Sequence, residues 1–482
     1  MKVCFYAING HGLGHLSRCH AIAKRLNDLL LMVGVTPDIQ ILTTSDADYV
    51  VKDFPVFKIP SKSCFKGRSG ASSRYASNGK MMISAMLSHF SPDVLIMDTI
   101  ATGSFNEFTF IKDFAKKKVL IERHKNADYS GSAVHQSHLP LFSKIIIPDE
   151  IENLEDYSFS KEILQKVSCV GMVHNFDLSK AFSKSEVRAF FGVSDKKIAY
   201  ISAGGGGDEN AREQLEMLLD AFPGNWHLVI GYGPLCDAPK IYNRPNVSAI
   251  TEGDIWKYFK GLDLAVCAAG YNTYEELLAA KVPTMFFAQE KGLDQQDRRI
   301  SKGLREGWHD EIDLNASILQ QLNQFLSRFD PAALMSRSPK QGASAAALQI
   351  ALLNPAITEA QLLDLEHASI IQEWLICHIE TPIDVARVFQ TYQRIFQPDT
   401  TAERTASILR TLHDLDGLLA KGDLARNLRH SVTIQQFFSQ QPGMTRAENR
   451  QIYKQLRAEL YHQSIDSAEL NQLLKSLPIP QL

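Results

Sequence analysis

The fold is decided by residues 3–18, which read VCFYAINGHGLGHLSR. Residues 3–8 form a short apolar run that ends at a glycine-rich turn, and apolar residues then recur at helical spacing as far as Leu30. A strand, a glycine loop and a helix in this order open a doubly wound α/β domain. Further apolar runs of strand length, typical of a parallel sheet covered on both faces, follow at 39–43, 94–97, 119–121 and 144–147.

The same pattern begins again in the second third of the chain. Ser183 and Glu186 have the spacing of a capping box, which begins a helix that Gly192 would end. Next come an apolar run at 198–202, four consecutive glycines at 204–207 and a second helical pattern. Further candidate strands of this unit lie at 227–230, 264–267 and 284–287. The sequence therefore predicts two Rossmann-like α/β domains.

The last part of the chain has a different pattern. From about Pro355 no strand-like run remains, and Leu, Ala, Gln and Arg recur at helical spacing. Capping-box spacing is found at Thr358-x-x-Gln361, Thr400-x-x-Glu403 and Thr445-x-x-Glu448. We therefore predict an N-terminal α/β domain at 1–178, a second α/β domain at 183–353 and an all-α domain at 355–482.

Composition limits the class of protein and its partners. Of the 482 residues 45% are hydrophobic, which excludes a disordered chain, and no run approaches the roughly 20 apolar residues needed to cross a bilayer. The formal net charge is -3, so no global positive field attracts nucleic acid. Seven scattered cysteines without a C-x-x-C pair favour a reducing compartment. We expect a soluble, cytoplasmic protein that does not bind nucleic acid.

The first glycine loop contains two histidines. Its glycines allow backbone N–H groups to approach a ligand, and the N-terminus of the following helix favours an anion. The loop is not the dinucleotide fingerprint, because His15 stands where that fingerprint needs glycine. A plain tight turn is the simpler interpretation. His11 and His15, however, would lie where open α/β sheets bind ligands, which makes His15 a candidate general base.

The second domain contains a matching unit at 267–283, again a strand, a glycine turn and a helix. Glu275 and Glu276 follow that turn, and a carboxylate there can accept hydrogen bonds from both hydroxyls of a ribose. Alternatively, the two carboxylates only complement the helix dipole. The glycines at 204–207 could receive a diphosphate in the same way as the first loop.

Together, these motifs resemble the GT-B glycosyltransferases, and the chain is similar to the family 28 type that includes the MurG-type N-acetylglucosaminyl transferases and the monogalactosyldiacylglycerol synthases. The resemblance covers about residues 1–350 and rests most on the segment from Ala269 to Pro283, followed by Asp294-Gln295-Gln296. It implies two Rossmann-like domains that face each other across a cleft. It also implies an inverting transfer of a sugar from a nucleotide-diphosphate sugar, by resemblance a uridine one, to an acceptor hydroxyl, without a metal or other cofactor.

The resemblance assigns roles to individual residues. His15 would be the catalytic base, and Asp98, at the end of a predicted strand, could orient it, although a turn cap is an equally good interpretation of Asp98. The donor nucleotide sugar would be held by Gly204, Gly205, Gly270, Asn272, Thr273, Glu276, Asp294, Gln295 and Gln296. Acceptor contacts are expected from His11 and Gly14 of the first loop and, from their position after a predicted strand that should face the cleft, from Arg123, His124 and Asn126. The sequence departs from the family at His11-Gly12 and at Lys281, where glycine is frequent.

Several alternatives remain open at the level of sequence. The same fold could serve a nucleotide-sugar hydrolase or epimerase, or a non-catalytic adaptor that senses nucleotide and acts through 355–482. The acceptor is unknown and could be lipid-linked or a small molecule, and 355–482 could bind a protein partner. Basic residues and methionines between 61 and 87 fit either a solvated loop or a peripheral contact with anionic lipid.

Overall fold

The structure is a computed structural model, and the described residues are 1–8, 13–61, 71–125, 127–149, 154, 157–204, 210–233, 244–289, 296–337, 341–358 and the positions 361, 365, 368, 369, 372, 373, 376 and 377. Several predicted site residues lie outside the described residues, namely His11, Asn126, Gly205, Asp294 and Gln295. The same holds for most of the predicted all-α domain.

The first domain is built on a parallel sheet of seven strands in the order β3-β2-β1-β4-β5-β6-β7. The strands are β1 Lys2–Ala7, β2 Asp38–Thr43, β3 Val56–Lys58, β4 Val94–Asp98, β5 Lys117–Ile121, β6 Lys144–Ile147 and β7 Val167–Cys169. The helices are α1 Gly14–Met32, α2 Ala71–Phe90, α3 Phe108–Ile111, α4 Ala127–Ser130, α5 Ala133–His138 and α6 Lys161–Leu164. Short 3-10 helices lie at Asp48–Val50, Lys112–Phe114 and Leu139–Leu141.

The second domain has a parallel sheet of six strands in the order β10-β9-β8-β11-β12-β13. The strands are β8 Lys197–Ser202, β9 Trp226–Gly231, β10 Val247–Ile250, β11 Leu264–Ala268, β12 Thr284–Phe287 and β13 Asp310–Glu311. The helices are α7 Lys184–Phe191, α8 Ala211–Ala221, α9 Tyr271–Ala279, α10 Gln296–Arg305, α11 Ile318–Arg328 and α12 Ala332–Ser336, and a further helix, α13 Ala343–Ala351, follows them in sequence. Two 3-10 helices, Leu178–Lys180 and Ile255–Gly261, precede strands of this sheet.

The apolar runs of the sequence are explained by burial on both faces of each sheet. In β1, Val3 and Phe5 point to the core that contains α1, whereas Cys4 and Tyr6 point to a separate core on the opposite face. Because both faces are covered, no polar residue interrupts the strand. The predicted α/β class with two Rossmann-like domains is confirmed.

The two sheets share a topological feature that positions the site. In the first sheet β1 lies between β2 and β4, and in the second β8 lies between β9 and β11. The chain therefore reverses direction across the sheet at β1/β4 and at β8/β11. Open α/β sheets bind ligands outside the carboxyl ends of the strands at such switch points. The loops after β1, β4, β8 and β11 are consequently the ones to examine.

The capping prediction at 183–186 is confirmed. The Ser183 side chain accepts a hydrogen bond from the backbone N–H of Glu186, and the Glu186 side chain accepts one from the backbone N–H of Ser183. The helix ends at Gly192, which has φ +65°, a conformation that glycine adopts without steric cost.

Helix α13 lies in the predicted second domain by sequence position but packs in the core of the first. Ala346 and Ile350 belong to the same hydrophobic core as Leu26 and Leu30 of α1. Small alanine side chains allow the two helices to approach closely. The chain thus crosses back to the first domain after completing the second.

The residues that follow α13 continue on the first domain. Leu365 and Ala368 are fully buried in the same core, and Ser344 Oγ donates a hydrogen bond to Gln372 Oε1 at 2.7 Å. The described positions from 361 to 377 are helical, and Gln361 Nε2 donates a hydrogen bond to the carbonyl oxygen of Val33 at 3.0 Å. The beginning of the predicted 355–482 region is therefore docked on α1 and α13. None of the helices in the described part of the chain is long and apolar enough to cross a membrane.

Candidate functional site

The first half of the site lies at the switch point of the first sheet. His15 is in the first turn of α1, and Asp98 is the last residue of β4. Nδ1 of His15 lies 2.6 Å from Oδ2 of Asp98, which is ion-pair distance, although the ring N–H is not aimed straight at the oxygen. The His15 side chain is 21% exposed, whereas that of Asp98 is fully buried. The structure thus brings together the two residues that the sequence predicts as catalytic.

Arg18, which follows His15 by about one helical turn, holds the same carboxylate. Its Nε donates to Oδ1 of Asp98 at 2.9 Å and its Nη2 donates to Oδ2 at 2.7 Å, which is a bidentate pair. Burial by itself raises the pKa of Asp98, but the Arg18 guanidinium and then His15 outweigh burial and hold that pKa well below its ordinary value. Asp98 is therefore a carboxylate at neutral pH. Nη1 of Arg18 is buried without a hydrogen-bond partner.

The second half of the site is the N-terminus of α9, which follows β11 at the switch point of the second sheet. Gly270 is the N-cap residue and supplies no capping side chain. Among the described residues, a Cβ added at Gly270 would meet no atom within 4 Å, and the same is true of Gly14 at the start of α1. Both helix N-termini therefore have open space in front of them, where unpaired N–H groups can bind an anion.

Tyr271 joins the two halves. Its hydroxyl donates to the carbonyl oxygen of Pro148 at 3.0 Å and accepts from the backbone N–H of Val173, also at 3.0 Å. These partners belong to the first domain and to the segment that leads to the second. The tyrosine is therefore an anchor by which α9 is held against the first domain.

Three guanidinium groups surround the ring of Tyr271. Their central carbons lie 4.9 Å (Arg123), 5.5 Å (Arg299) and 5.7 Å (Arg18) from the ring centre. Two come from the first domain and one from α10 of the second. Because the charge of Arg18 is balanced by Asp98, Arg123 and Arg299 supply the positive charge beside the helix N-terminus that favours a bound anion. Sequence reasoning assigned no role to Tyr271 or Arg299, because the three arginines are far apart along the chain.

The residues predicted on the acceptor side partly contact the second domain. Arg123 lies over Tyr271, and Nε2 of His124 is 3.0 Å from Nη1 of Arg298 in α10. Both residues follow β5 and reach the facing domain. Whether they also contact an acceptor stays a prediction.

Glu276 is the predicted ribose ligand, and it is 5% exposed. Its Oε1 accepts a hydrogen bond from the backbone N–H of Asn175 at 3.2 Å, and the side chain of Asn175 donates to the Ser17 carbonyl of α1 at 3.3 Å. Burial raises the pKa of Glu276 to about 8, so the carboxyl group is mostly protonated at pH 7. Its neighbour Glu275 is paired with Arg337 at 2.7 Å.

The other described donor-side residues occupy different environments. Gly204 has φ +88°, which favours glycine, and its N–H donates to Ser202 Oγ at 3.3 Å. Asn272 and Thr273 are half-buried in the first turn of α9, and Oδ1 of Asn272 has no hydrogen-bond partner within the described part of the chain. Gln296 begins α10 with 2% exposure, and its Oε1 accepts from the backbone N–H of Gln289 at 3.0 Å. A bound sugar would have to compete with that bond.

Lys281, where the family frequently has glycine, has φ +62°. Its ammonium donates to the carbonyl oxygens of Leu334 at 3.0 Å and of Arg337, at the C-terminal end of α12. Burial and then Arg337 lower the pKa of Lys281 to about 8. A lysine can therefore occupy this left-handed position because its side chain caps a helix C-terminus. Helix capping thus explains the lysine at this position.

Geometry thus defines the class: two Rossmann-like α/β domains, with a histidine–carboxylate pair on one and a helix N-terminus on the other. No family model matches the chain. An uncharacterized glycosyltransferase of Methanosarcina mazei is 24% identical over 334 residues, which span 62% of this chain and 82% of that protein.

Solved structures of similar architecture include MurG of Acinetobacter baumannii, with 16% identity and a TM-score of 0.46 over 72% of this chain and 98% of that one. The UDP-GlcNAc 2-epimerase of Neisseria meningitidis bound to UDP-GlcNAc has 17% identity and a TM-score of 0.48 over 73% of this chain and all of that one. The glycosyltransferase SnogD of Streptomyces nogalater has 13% identity and a TM-score of 0.48, over 73% and 99%.

Proposed function

We propose that the chain is an inverting glycosyltransferase that moves a sugar from a nucleotide-diphosphate sugar, a uridine one, to an acceptor hydroxyl without a metal ion. The observation that carries this proposal is the arrangement around Tyr271. There a histidine–aspartate pair on one domain is close to the open N-terminus of α9 and three guanidinium groups. The relative from Methanosarcina mazei supports the same class, a glycosyltransferase.

The first domain supplies the base. Ionised Asp98 keeps the proton of a neutral His15 ring on Nδ1, which leaves Nε2 to accept the proton of the acceptor hydroxyl. The acceptor oxygen then forms a bond to the anomeric carbon while the bond from that carbon to the diphosphate oxygen breaks. Attack opposite to the leaving group inverts the configuration, and the proton stays on His15.

The second domain receives the leaving group. The nucleoside diphosphate gains negative charge as its bond to the sugar breaks, and the free N–H groups at the start of α9 can bind its oxygens. Arg123 and Arg299 contribute positive charge from both sides. These fixed charges need no reorganisation during the reaction, so they can take the place of a metal ion in this proposal.

Donor identity and reaction class are tested together. Purified full-length chain is heated with a panel of nucleotide sugars, because a ligand that binds only the folded state raises the melting temperature by mass action. We expect a uridine donor to stabilise the protein.

The stabilising donor is then incubated with the protein in the absence of an acceptor. Rapid release of free sugar would indicate a hydrolase, and conversion of the sugar to its epimer would indicate an epimerase. Either result overturns the transferase proposal.

Donor binding should depend on pH through Glu276. Ribose hydroxyls donate to an ionised carboxylate, so the neutral Glu276 of the free protein must release a proton when donor binds below about pH 8. We expect affinity for a UDP-sugar to rise by up to about tenfold per pH unit between pH 6 and 8, with flat and weaker binding in Glu276→Gln. Calorimetry in buffers of different ionisation enthalpy counts the released proton.

The matched control for Glu276 is Glu275→Gln, because the neighbouring carboxylate is paired with Arg337 instead. We expect that variant to keep the pH dependence. If Glu276→Gln binds the UDP-sugar with the wild-type affinity and the wild-type pH dependence, Glu276 is not the ribose ligand.

We further propose that the first domain touches an anionic membrane surface on the cytoplasmic side, which suits a lipid-linked acceptor. Met81 of α2 and Phe110 of α3 are 65% and 69% exposed, and Lys80 Nζ lies 5.8 Å from the ring centre of Phe110. Arg74 of α2 is also exposed, whereas Lys62, Lys66 and Arg68 lie outside the described residues. Apolar side chains beside cations are typical of surfaces that bind anionic lipid.

Vesicle sedimentation tests this contact. We expect the chain to bind vesicles containing phosphatidylglycerol and not pure phosphatidylcholine, with binding that weakens in salt. Met81→Ser combined with Phe110→Ser should reduce binding at least tenfold. The control is Phe190→Ser, which removes an apolar side chain of 61% exposure from α7 of the second domain. Equal binding by both variants would show that α2 and α3 are not the contact.

A further inference from the structure

A buried ion pair lies next to the residue that follows Asp98. Lys125 Nζ is 2.6 Å from Oε1 of Glu122, and the two side chains are 1% and 2% exposed. His135 Nε2 is 3.5 Å from the same Glu122 oxygen. Replacing a buried ion pair by apolar side chains of similar volume is often neutral or stabilising, so fold stability alone does not account for these charges.

The ammonium of Lys125 also binds the backbone next to Asp98. It donates to the carbonyl oxygen of Thr99 at 2.7 Å. Thr99 has φ +69°, a left-handed conformation that is strained for a β-branched residue. A conformation of that kind persists only where neighbouring contacts hold it, and the charged hydrogen bond from Lys125 is such a contact.

The conformation of Thr99 affects the carboxylate directly. Oγ1 of Thr99 lies 3.3 Å from Oδ2 of Asp98 and 3.3 Å from Nη2 of Arg18. Oδ2 of Asp98 is also the atom that contacts His15. The hydroxyl reaches this point because the chain turns back immediately after β4. A hydrogen bond to the Thr99 carbonyl therefore helps to determine where the oxygen that faces His15 lies.

We propose that Lys125, neutralised by Glu122, is a positioning residue for the reaction: it holds Thr99 in its left-handed conformation and thereby aims Asp98 at His15. The proposal rests on the proposed function, in which His15 is the base. Lys125 contacts no reacting atom, and its effect passes through the backbone of Thr99 to the Thr99 hydroxyl, which contacts the Asp98 carboxylate. Glu122 permits a cation to be buried at this place.

The test distinguishes a positioning role of Lys125 from the effect of leaving one buried charge unpaired. Glu122→Met combined with Lys125→Met removes both charges at similar volume, so no charge is left unpaired. The readout is the two-bond proton–nitrogen NMR spectrum of the neutral His15 ring in full-length protein with labelled histidine, assigned by its loss in His15→Gln. This spectrum reports which ring nitrogen carries the proton. We expect the Nδ1–H form in the wild type and a shift to the Nε2–H form in the double variant, with kcat lowered at least tenfold and the donor KM unchanged.

Two further variants complete the design. Glu275→Met with Arg337→Met removes another well-buried pair, in the second domain, and should leave the His15 spectrum unchanged. Thr99→Gly accepts the positive φ without strain and removes the hydroxyl, so it should shift the spectrum in the same direction as the double variant. It also tests the proposal if the double variant does not fold. A wild-type His15 spectrum in a folded Glu122/Lys125 variant, or in Thr99→Gly, overturns the positioning role. Because the spectrum needs no substrate, that failure is distinct from failure of the proposed transferase activity.

Discussion

Replacing His15 by alanine should lower the rate of sugar transfer by about 10²–10⁴-fold and leave donor affinity nearly unchanged. The reason is that the two domains have different roles in the proposed reaction. His15 lies at the first sheet, where its Nε2 can take the acceptor proton, whereas the proposed donor site lies at α9 of the second. The measurement is kcat and KM with the donor that stabilises the protein, together with donor affinity by calorimetry.

Asp98→Asn sharpens the same experiment. The amide has nearly the shape of the carboxylate but carries no charge, so it can no longer favour the Nδ1–H form of His15 or pair with the Arg18 guanidinium. Because the buried Arg18 cation then lacks its partner, the variant is also less stable, so it is measured where circular dichroism shows it folded; there we expect a similar loss of kcat with donor affinity retained. His15→Ala with wild-type transfer rates would exclude His15 as the base. Loss of donor binding in the same variant would instead place the donor at the first domain.

Replacing Arg18 by methionine should destabilise the fold by about 3–5 kcal/mol, because it leaves the fully buried Asp98 without its bidentate partner. In that variant the guanidinium that most strongly opposes the effect of burial is absent, so the pKa of Asp98 rises. The loss in the free energy of unfolding relative to the wild type should therefore be smaller at acid pH, where the carboxyl group can be protonated, than at neutral pH. Urea unfolding of the full chain at pH 5 and pH 7 measures both effects.

A double variant and a surface control support this prediction. Adding Asp98→Asn to Arg18→Met removes the unpaired charge and should restore part of the lost stability. Arg244→Met also removes an arginine from an ion pair, with Asp220, but both partners are exposed, so it should cost less than about 1 kcal/mol. Equal costs for Arg18→Met and Arg244→Met would contradict the role given to Arg18.

Local patterns predicted the elements of the fold well. The runs at 3–8, 94–97 and 264–267 became buried central strands, because a strand covered on both faces contains no polar interruption to confuse the pattern. Two strands of the first sheet, β3 and β7, were not predicted. Each has three half-buried residues, which is too short for a recognisable period.

The site was predicted in part. His15 and Asp98 could be selected because one follows a glycine loop and the other ends a strand. Arg18 stands close to His15 in the sequence, yet no local sequence pattern indicated that its guanidinium would bind Asp98. Tyr271 and Arg299 were missed for the same reason, since their partners lie in other elements of the chain.

The sequence by itself determined the features that depend on neighbours along the chain. Continuous apolar runs determined the strands, the capping box determined the helix start at Ser183, and a positive φ, as at Gly204, required glycine. Only the tertiary structure decided which charges meet. It placed Arg18 on Asp98, buried Glu276 against the segment between the domains, and returned α13 to the first domain. The physical reason is the range along the chain over which each interaction acts. Capping and periodicity act over a few residues, whereas desolvation and ion pairing depend on atoms that approach each other only after the two sheets have packed.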